Sequence, residues 1–190
     1  MAAAAGGIRV VAVIGAGTAG RRFALRCAAA GFDVAIEDVM PSNLRRAEGE
    51  YLEMVVGAAS AGRLTVALTV EDAVERADVA FDFVPDELES KLEIFSLMDR
   101  MAPPRTIFCT PSEALSITDL ASCVYRPERC FALRGDLVGG DRVRVLYPEG
   151  CDGEALELVA GLLRRVGLGV DVETDPDVPM LMKNLVGRRI

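Results

Sequence analysis

Residues 11–20 read VAVIGAGTAG, an apolar run that breaks into glycines at positions 15, 17 and 20. The run is β-branched, short and stopped by Gly15, so it suits a buried strand from Ile8 to Ile14. The spacing G-x-G-x-x-G then opens residues 18–30. There Phe23, Cys27 and Ala30 fall on one helical face, with Arg21, Arg22 and Arg26 turned outward. A strand, a glycine turn and a helix in that order can cradle phosphate. Gly15 permits the tight turn, Gly17 leaves room for backbone to approach a pyrophosphate, and Gly20 lets the helix pack closely on the sheet. The helix start at Thr18 and Ala19 adds free N–H groups and positive potential. A second strand, 33–36, ends at the acidic pair Glu37-Asp38. Asp38 stands roughly twenty residues beyond the turn, where a carboxylate accepts hydrogen bonds from an adenine ribose. The pattern predicts a dinucleotide site. A carboxylate there repels a 2′-phosphate, which favours NAD(H) over NADP(H). The competing reading is a turn that only shapes an α/β core.

Working outward, strands and helices alternate almost throughout. A long helix runs from Pro41 to about Ala61, with Leu44, Tyr51, Leu52, Val55 and Ala59 as its apolar face. A short strand covers 64–68, and Thr69 caps a brief helix at Asp72. The strand DVAFDFVP (78–85) stops at Pro85, and residues 87–101 form a helix with Leu88, Leu92, Phe95 and Met98 inward. Strands are expected at 106–109, 130–133, 142–146 and 168–172, and helices at 116–122, 154–166 and from Met180 onward. This alternation predicts an α/β fold with a doubly wound, mostly parallel sheet and helices on both faces. In such sheets ligands bind at the carboxyl ends of the strands, where the strand order reverses. Residues 1–7 read as a flexible tail and 8–190 as one domain.

Composition narrows the class. The chain has 190 residues, is 51% apolar and carries a net charge of −8 with no histidine. No basic block is present, which argues against nucleic acid and anionic membranes as partners. No apolar run reaches the ~20 residues of a membrane span. Five cysteines are scattered without a C-x-x-C pair. They read as small apolar fillers in a reduced, cytoplasmic protein, and no metal site is expected. The usage of Ala, Arg and Gly is that of a bacterium of high genomic GC content.

VAVIGAGTAG…VAIEDVMP, ADVAFDFVPDELESKLEIFSLMD and LSITDLASCVYRPERCFAL together resemble the NAD-binding domain of the 3-hydroxyacyl-CoA dehydrogenases, over nearly all of residues 8–190. The resemblance implies a Rossmann-type domain, normally followed by a helical domain that builds the dimer and closes the active site. It implies that Phe83, Val84 and Pro85 wall the nicotinamide pocket. It also implies that Asp86, where the family has glutamate, and Lys91 lie near the nicotinamide ribose. Read without the resemblance, Asp86 and Lys91 are surface charges at a helix start. The family's S-N-T-S segment, whose last serine touches the substrate oxygen, falls on Thr110-Pro111-Ser112-Glu113. Glu113 therefore takes the serine's place, with Ser112 beside it. The catalytic histidine of H-F-F-N-P falls on Arg134, and the glutamate that orients it falls near Leu146. Asn184, in MKNLV, matches the asparagine of V-N-R-L.

Imidazole can take and return a proton near neutral pH, whereas arginine stays protonated. The usual dyad mechanism is therefore not expected. One reading is a divergent NAD(H)-dependent oxidoreductase acting on a hydroxyacyl, ketoacyl or other carbonyl or imine substrate, small or carrier-bound. In it Glu113, if burial raises its pKa, moves the proton, and Arg134 holds a carboxylate or an oxyanion. Ser112 and Asn184 complete the site. The alternative is a non-catalytic NAD(H)-binding partner subunit, in which Glu113, Arg134 and Asn184 are ordinary surface or helix-entry residues. The five apolar residues VPMLM (178–182) predict self-association, as a homodimer.

Overall fold

The structure is a computed structural model, and it describes residues 7–56 and 60–176. The predicted alternation is present. The strands are β1 (Val10–Ile14), β2 (Asp33–Glu37), β3 (Leu64–Val66), β4 (Val79–Asp82), β5 (Ile107–Pro111), β6 (Cys130–Arg134), β7 (Arg142–Tyr147) and β8 (Gly169–Thr174). The helices are α1 (Thr18–Ala29), α2 (Pro41–Val55), α3 (Val70–Val74), α4 (Leu88–Met101), α5 (Ile117–Ala121) and α6 (Gly153–Arg165). They form one sheet in the order β3-β2-β1-β4-β5-β6-β7-β8. All neighbours are parallel except β6 and β7. The segment between those two strands is too short for a crossover, so the chain must reverse there.

The central strands β1, β4, β5 and β6 bury both faces, as a doubly covered parallel sheet requires, and the edge strands β3 and β8 are more open. One face packs under α1, α2 and α6 around Phe23, Leu44, Phe81 and Val159. The other packs under α3, α4 and α5 around Phe95, Phe108 and Leu120. Cys27, Cys109 and Cys130 fill this interior, and burial pushes their thiols up. β1 pairs with β2 on one side and with β4 on the other. The chain runs outward to β3 and then returns to β4, so the order reverses beside β1. That opens a crevice at the carboxyl ends of β1 and β4.

Three expectations about helix faces need correction. Arg21 is buried, not outward, because its Nε reaches Glu50 on α2 at 3.0 Å. Arg26 is half-buried and donates from Nε to Val166 O at 2.6 Å, which ties α1 to the end of α6. On α2 Leu52 is exposed, and Leu44 and Ala47 carry the contact instead. Residues 57–59, which include Ala59, lie outside the described residues, as do residues 1–6, the expected helix from Met180, the VPMLM stretch and Asn184. No helix among the described residues is long and apolar enough to cross a membrane.

Candidate functional site

The three glycines of the turn face three different surroundings. Gly15 has φ +98°, and a Cβ there would sit 2.9 Å from Phe83 O. A side chain is thus excluded by both conformation and contact. A Cβ on Gly20 would lie 1.9 Å from Gly15 O, so α1 can approach the turn only without one. A Cβ on Gly17 would meet nothing within 4 Å. Gly17, Thr18 and Ala19 are exposed, and Gly17 is the N-cap of α1 with no side chain capping it. The first amides of a helix have no partner within it. They open here onto free space, so the turn fits a bound pyrophosphate.

Asp38 closes the adjoining side. Its Oδ1 accepts from Met40 N at 2.7 Å, and its Oδ2 accepts from Ala16 N at 2.6 Å and from Asn43 Nδ2 at 3.1 Å. These donors fix the carboxylate against the glycine turn and leave a lone pair on Oδ1 for a ribose hydroxyl. Asn43 was not anticipated. A cleft of about 420 Å³ extends from the turn, with Glu37, Asp38, Val39, Val70 and Leu97 among its lining. Phe83, Val84 and Pro85, which the resemblance assigned to the nicotinamide pocket, also line this cleft. Glu37 is buried in that lining, and burial first, then the neighbouring Asp38, raises its pKa.

Lys91 is the largest correction. It is 1% exposed, so it is not a surface charge. Its Nζ donates to Thr110 Oγ1 at 2.9 Å, Asp82 Oδ2 at 3.2 Å and Val84 O at 3.3 Å, which engages all three ammonium protons. Thr110 Oγ1 in turn donates to Asp82 Oδ2 at 3.0 Å, and Asp82 Oδ1 accepts from Val84 N at 2.8 Å. Burial raises the Asp82 pKa and outweighs the opposing pull of Lys91 and these hydrogen bonds. Lys91 thus braces the Val84 segment from beneath and is held off the cleft floor. Sequence reasoning passed over Asp82. The signal was a charged residue in the buried central strand VAFD, which requires a partner.

Of the residues expected around the substrate, Ser112, Glu113 and Arg134 lie close together, and Asn184 lies outside the described residues. Ser112 and Glu113 follow β5, and Arg134 ends β6 beside them. Ser112 is buried, and its Oγ accepts from Leu115 N at 2.9 Å. Glu113 Oε1 accepts from Gly135 N at 3.3 Å, and Glu113 N donates to Asp86 Oδ2 at 3.1 Å. Asp86 therefore joins the substrate side to the cleft wall at Pro85. Glu113 is exposed, so the burial expected of it is absent. Arg134 reaches Leu115 O at 3.5 Å from Nη2, while its buried Nε has no partner among the described residues. Leu146 is fully buried and pairs with Ala132 across the sheet, so no acid stands behind Arg134 there. A larger cavity of about 610 Å³ near Thr118, Pro148 and Asp175 includes none of these residues.

Residues 10–134 match the family described as 3-hydroxyacyl-CoA dehydrogenase, NAD binding domain. A probable 3-hydroxybutyryl-CoA dehydrogenase of Bacillus subtilis is 31% identical over 139 residues, covering 66% of this chain and 48% of that protein. The 5-formyl-3-hydroxy-2-methylpyridine 4-carboxylate 5-dehydrogenase of Mesorhizobium japonicum is 30% identical over 94% of this chain and 61% of its own length. A crystal structure of an enzyme of that name, described as an NAD+ dependent dismutase, superposes with a TM-score of 0.77 at 27% identity, over 94% of this chain and 61% of the other. The chain thus spans 48% and 61% of the lengths of these two curated relatives.

Proposed function

This chain belongs to the 3-hydroxyacyl-CoA dehydrogenase family through its NAD-binding domain, and from that premise we propose that it is an NAD(H)-dependent oxidoreductase in which Arg134, Ser112 and Glu113 replace the His–Glu dyad. The observation that carries the reading is their convergence at the carboxyl ends of β5 and β6, next to the Val84–Pro85 wall.

The residues divide the work by their chemistry. When bound, the nicotinamide supplies the hydride acceptor or donor. Arg134 is permanently charged, so it stabilises negative charge on the substrate oxygen as the C–H bond breaks or forms. The Ser112 hydroxyl donates a hydrogen bond to the same oxygen. In the oxidising direction the substrate hydroxyl proton passes to the Glu113 carboxylate and on to solvent while C=O forms, and reduction reverses these transfers. The Asn184 amide is a further donor to that oxygen. The substrate class is a hydroxyacyl or ketoacyl compound, or another carbonyl or imine, free or carrier-bound. A carboxylate next to the reacting carbon suits Arg134, and the relative matched over 94% of the chain is named for a pyridine 4-carboxylate. The expected setting is cytoplasmic, with a second copy of the chain as partner.

The test is an NADH-oxidation screen against carbonyl and imine compounds, free and carrier-bound, followed by Arg134→Leu, Glu113→Gln and Asn184→Ala on the best substrate. Each variant is expected to lower turnover by roughly one to three orders of magnitude and to leave NADH affinity unchanged. Tight NADH binding with no substrate turned over would favour a non-catalytic NAD(H)-binding module. Turnover unaffected by Arg134→Leu would remove the proposed role of that residue.

A further inference from the structure

The cofactor cleft holds a carboxylate that the glycine turn and the ribose acid do not account for. Its lining has two acidic side chains, Glu37 and Asp38, and its other side chains are apolar or aromatic. Asp38 already receives three hydrogen bonds. Among the described residues no donor reaches the side chain of Glu37, although it is buried. Glu37 lies directly across from Ile14 in the β1–β2 ladder, and Asp82 lies across from Ile14 in the β1–β4 ladder. Ile14 packs into the core layer beneath α3 and α4, so Glu37 shares that face. It therefore lies at the floor of the cleft, among Val39, Val70, Ile94 and Leu97. The Glu37 oxygens are not among the fully enclosed unpaired atoms, so in the open cleft water is their partner, and a ligand that displaces this water must bring a donor of its own.

We infer that Glu37 recognises the 6-amino group of the cofactor's adenine, which makes this cleft selective for that base. The inference rests on the cleft being the dinucleotide site. Asp38 sits at the turn, where a ribose is held, so the base is the part of the ligand that meets the apolar walls beyond it. On an adenine the ring nitrogens only accept, and the 6-amino group is the single donor. An ionised carboxylate only accepts, so the two groups match at that amine and nowhere else. The apolar lining strengthens the match, because few waters compete for either partner. A purine without the amine would bury Glu37 with its lone pairs unmet.

The experiment is displacement of NADH, followed by its fluorescence, with 5′-AMP and with purine riboside 5′-monophosphate, which differ only by the 6-amino group. In the wild type 5′-AMP is expected to bind about tenfold more tightly, the effect of one hydrogen bond to a charged acceptor. Glu37→Val should bring the two nucleotides to within about twofold. Glu37→Gln, whose amide oxygen still accepts, should keep part of the preference. Melting curves establish that both variants are folded. Equal affinities in the wild type, or a tenfold preference that survives Glu37→Val, would overturn the assignment while leaving the dinucleotide site intact. Failure of the wild type to bind NADH at all would overturn the cofactor reading, and this inference with it.

Discussion

Replacing Lys91 with methionine tests the buried brace under the cleft. Methionine keeps much of the stem volume and removes the ammonium. Asp82 is fully buried, so no water replaces the lost charge. It keeps the hydrogen bonds from Val84 N and Thr110 Oγ1, but its main counter-charge is gone. Breaking one side of a buried ion pair typically costs about 3–5 kcal/mol, a large part of a domain's stability. Two retained donors place Lys91→Met near 3 kcal/mol, read as the shift in urea unfolding free energy at neutral pH. The pH dependence identifies the cause. Burial already raises the Asp82 pKa above the ordinary carboxylate value, and losing Lys91 raises it further. The variant therefore takes up a proton on folding at a higher pH than the wild type does. Its deficit should be greatest near neutrality and shrink as the pH falls and Asp82 becomes neutral. Asp82→Asn combined with Lys91→Met should cost less than the sum of the two single changes, because neither charge is then stranded. A deficit below about 1 kcal/mol, or one that does not change with pH, would show that the pair is not the brace described here.

Gly17→Val should abolish NADH binding in calorimetry and leave the melting temperature nearly unchanged, because the added side chain enters open space that the pyrophosphate needs. In the same assay the wild type should prefer NADH to NADPH, and equal affinity would remove the ribose role of Asp38. Glu37 gives a second pH signature. Its pKa is raised from 4.5, first by burial and then by Asp38, so its contribution to stability is complete below about 4.5 and is lost as the pH rises through the folded value. Glu37→Gln should therefore gain stability relative to the wild type between acid and neutral pH in urea melts, and a difference constant across that range would count against this.

How much of this was legible in the sequence depends on how local each determinant is. The strands could be read because a parallel sheet buries both faces, which leaves short apolar runs bounded by glycine and proline. The glycine turn could be read because its requirements fall within six residues, and Gly15 and Gly20 meet them through contacts with Phe83 and with one another. The orientation of charged side chains was not local in this sense. Arg21 looks like a solvent-facing helix residue until α2 brings Glu50 to it. Lys91 looks like another until β4 and β5 place Asp82 and Thr110 beneath it. A raised pKa for Glu113 depended on burial, but Glu113 lies two residues beyond the end of β5 and is exposed. Strand interiors carry a signal that helix surfaces lack. An acid within or ending an otherwise buried strand must be neutralised, hydrogen-bonded or aimed at a ligand. VAFD and DVAIE each end in one. Asp82 has its partner in Lys91 within the fold, and Glu37 has no donor among the described residues, so of the two it is Glu37 that the proposal above pairs with the ligand.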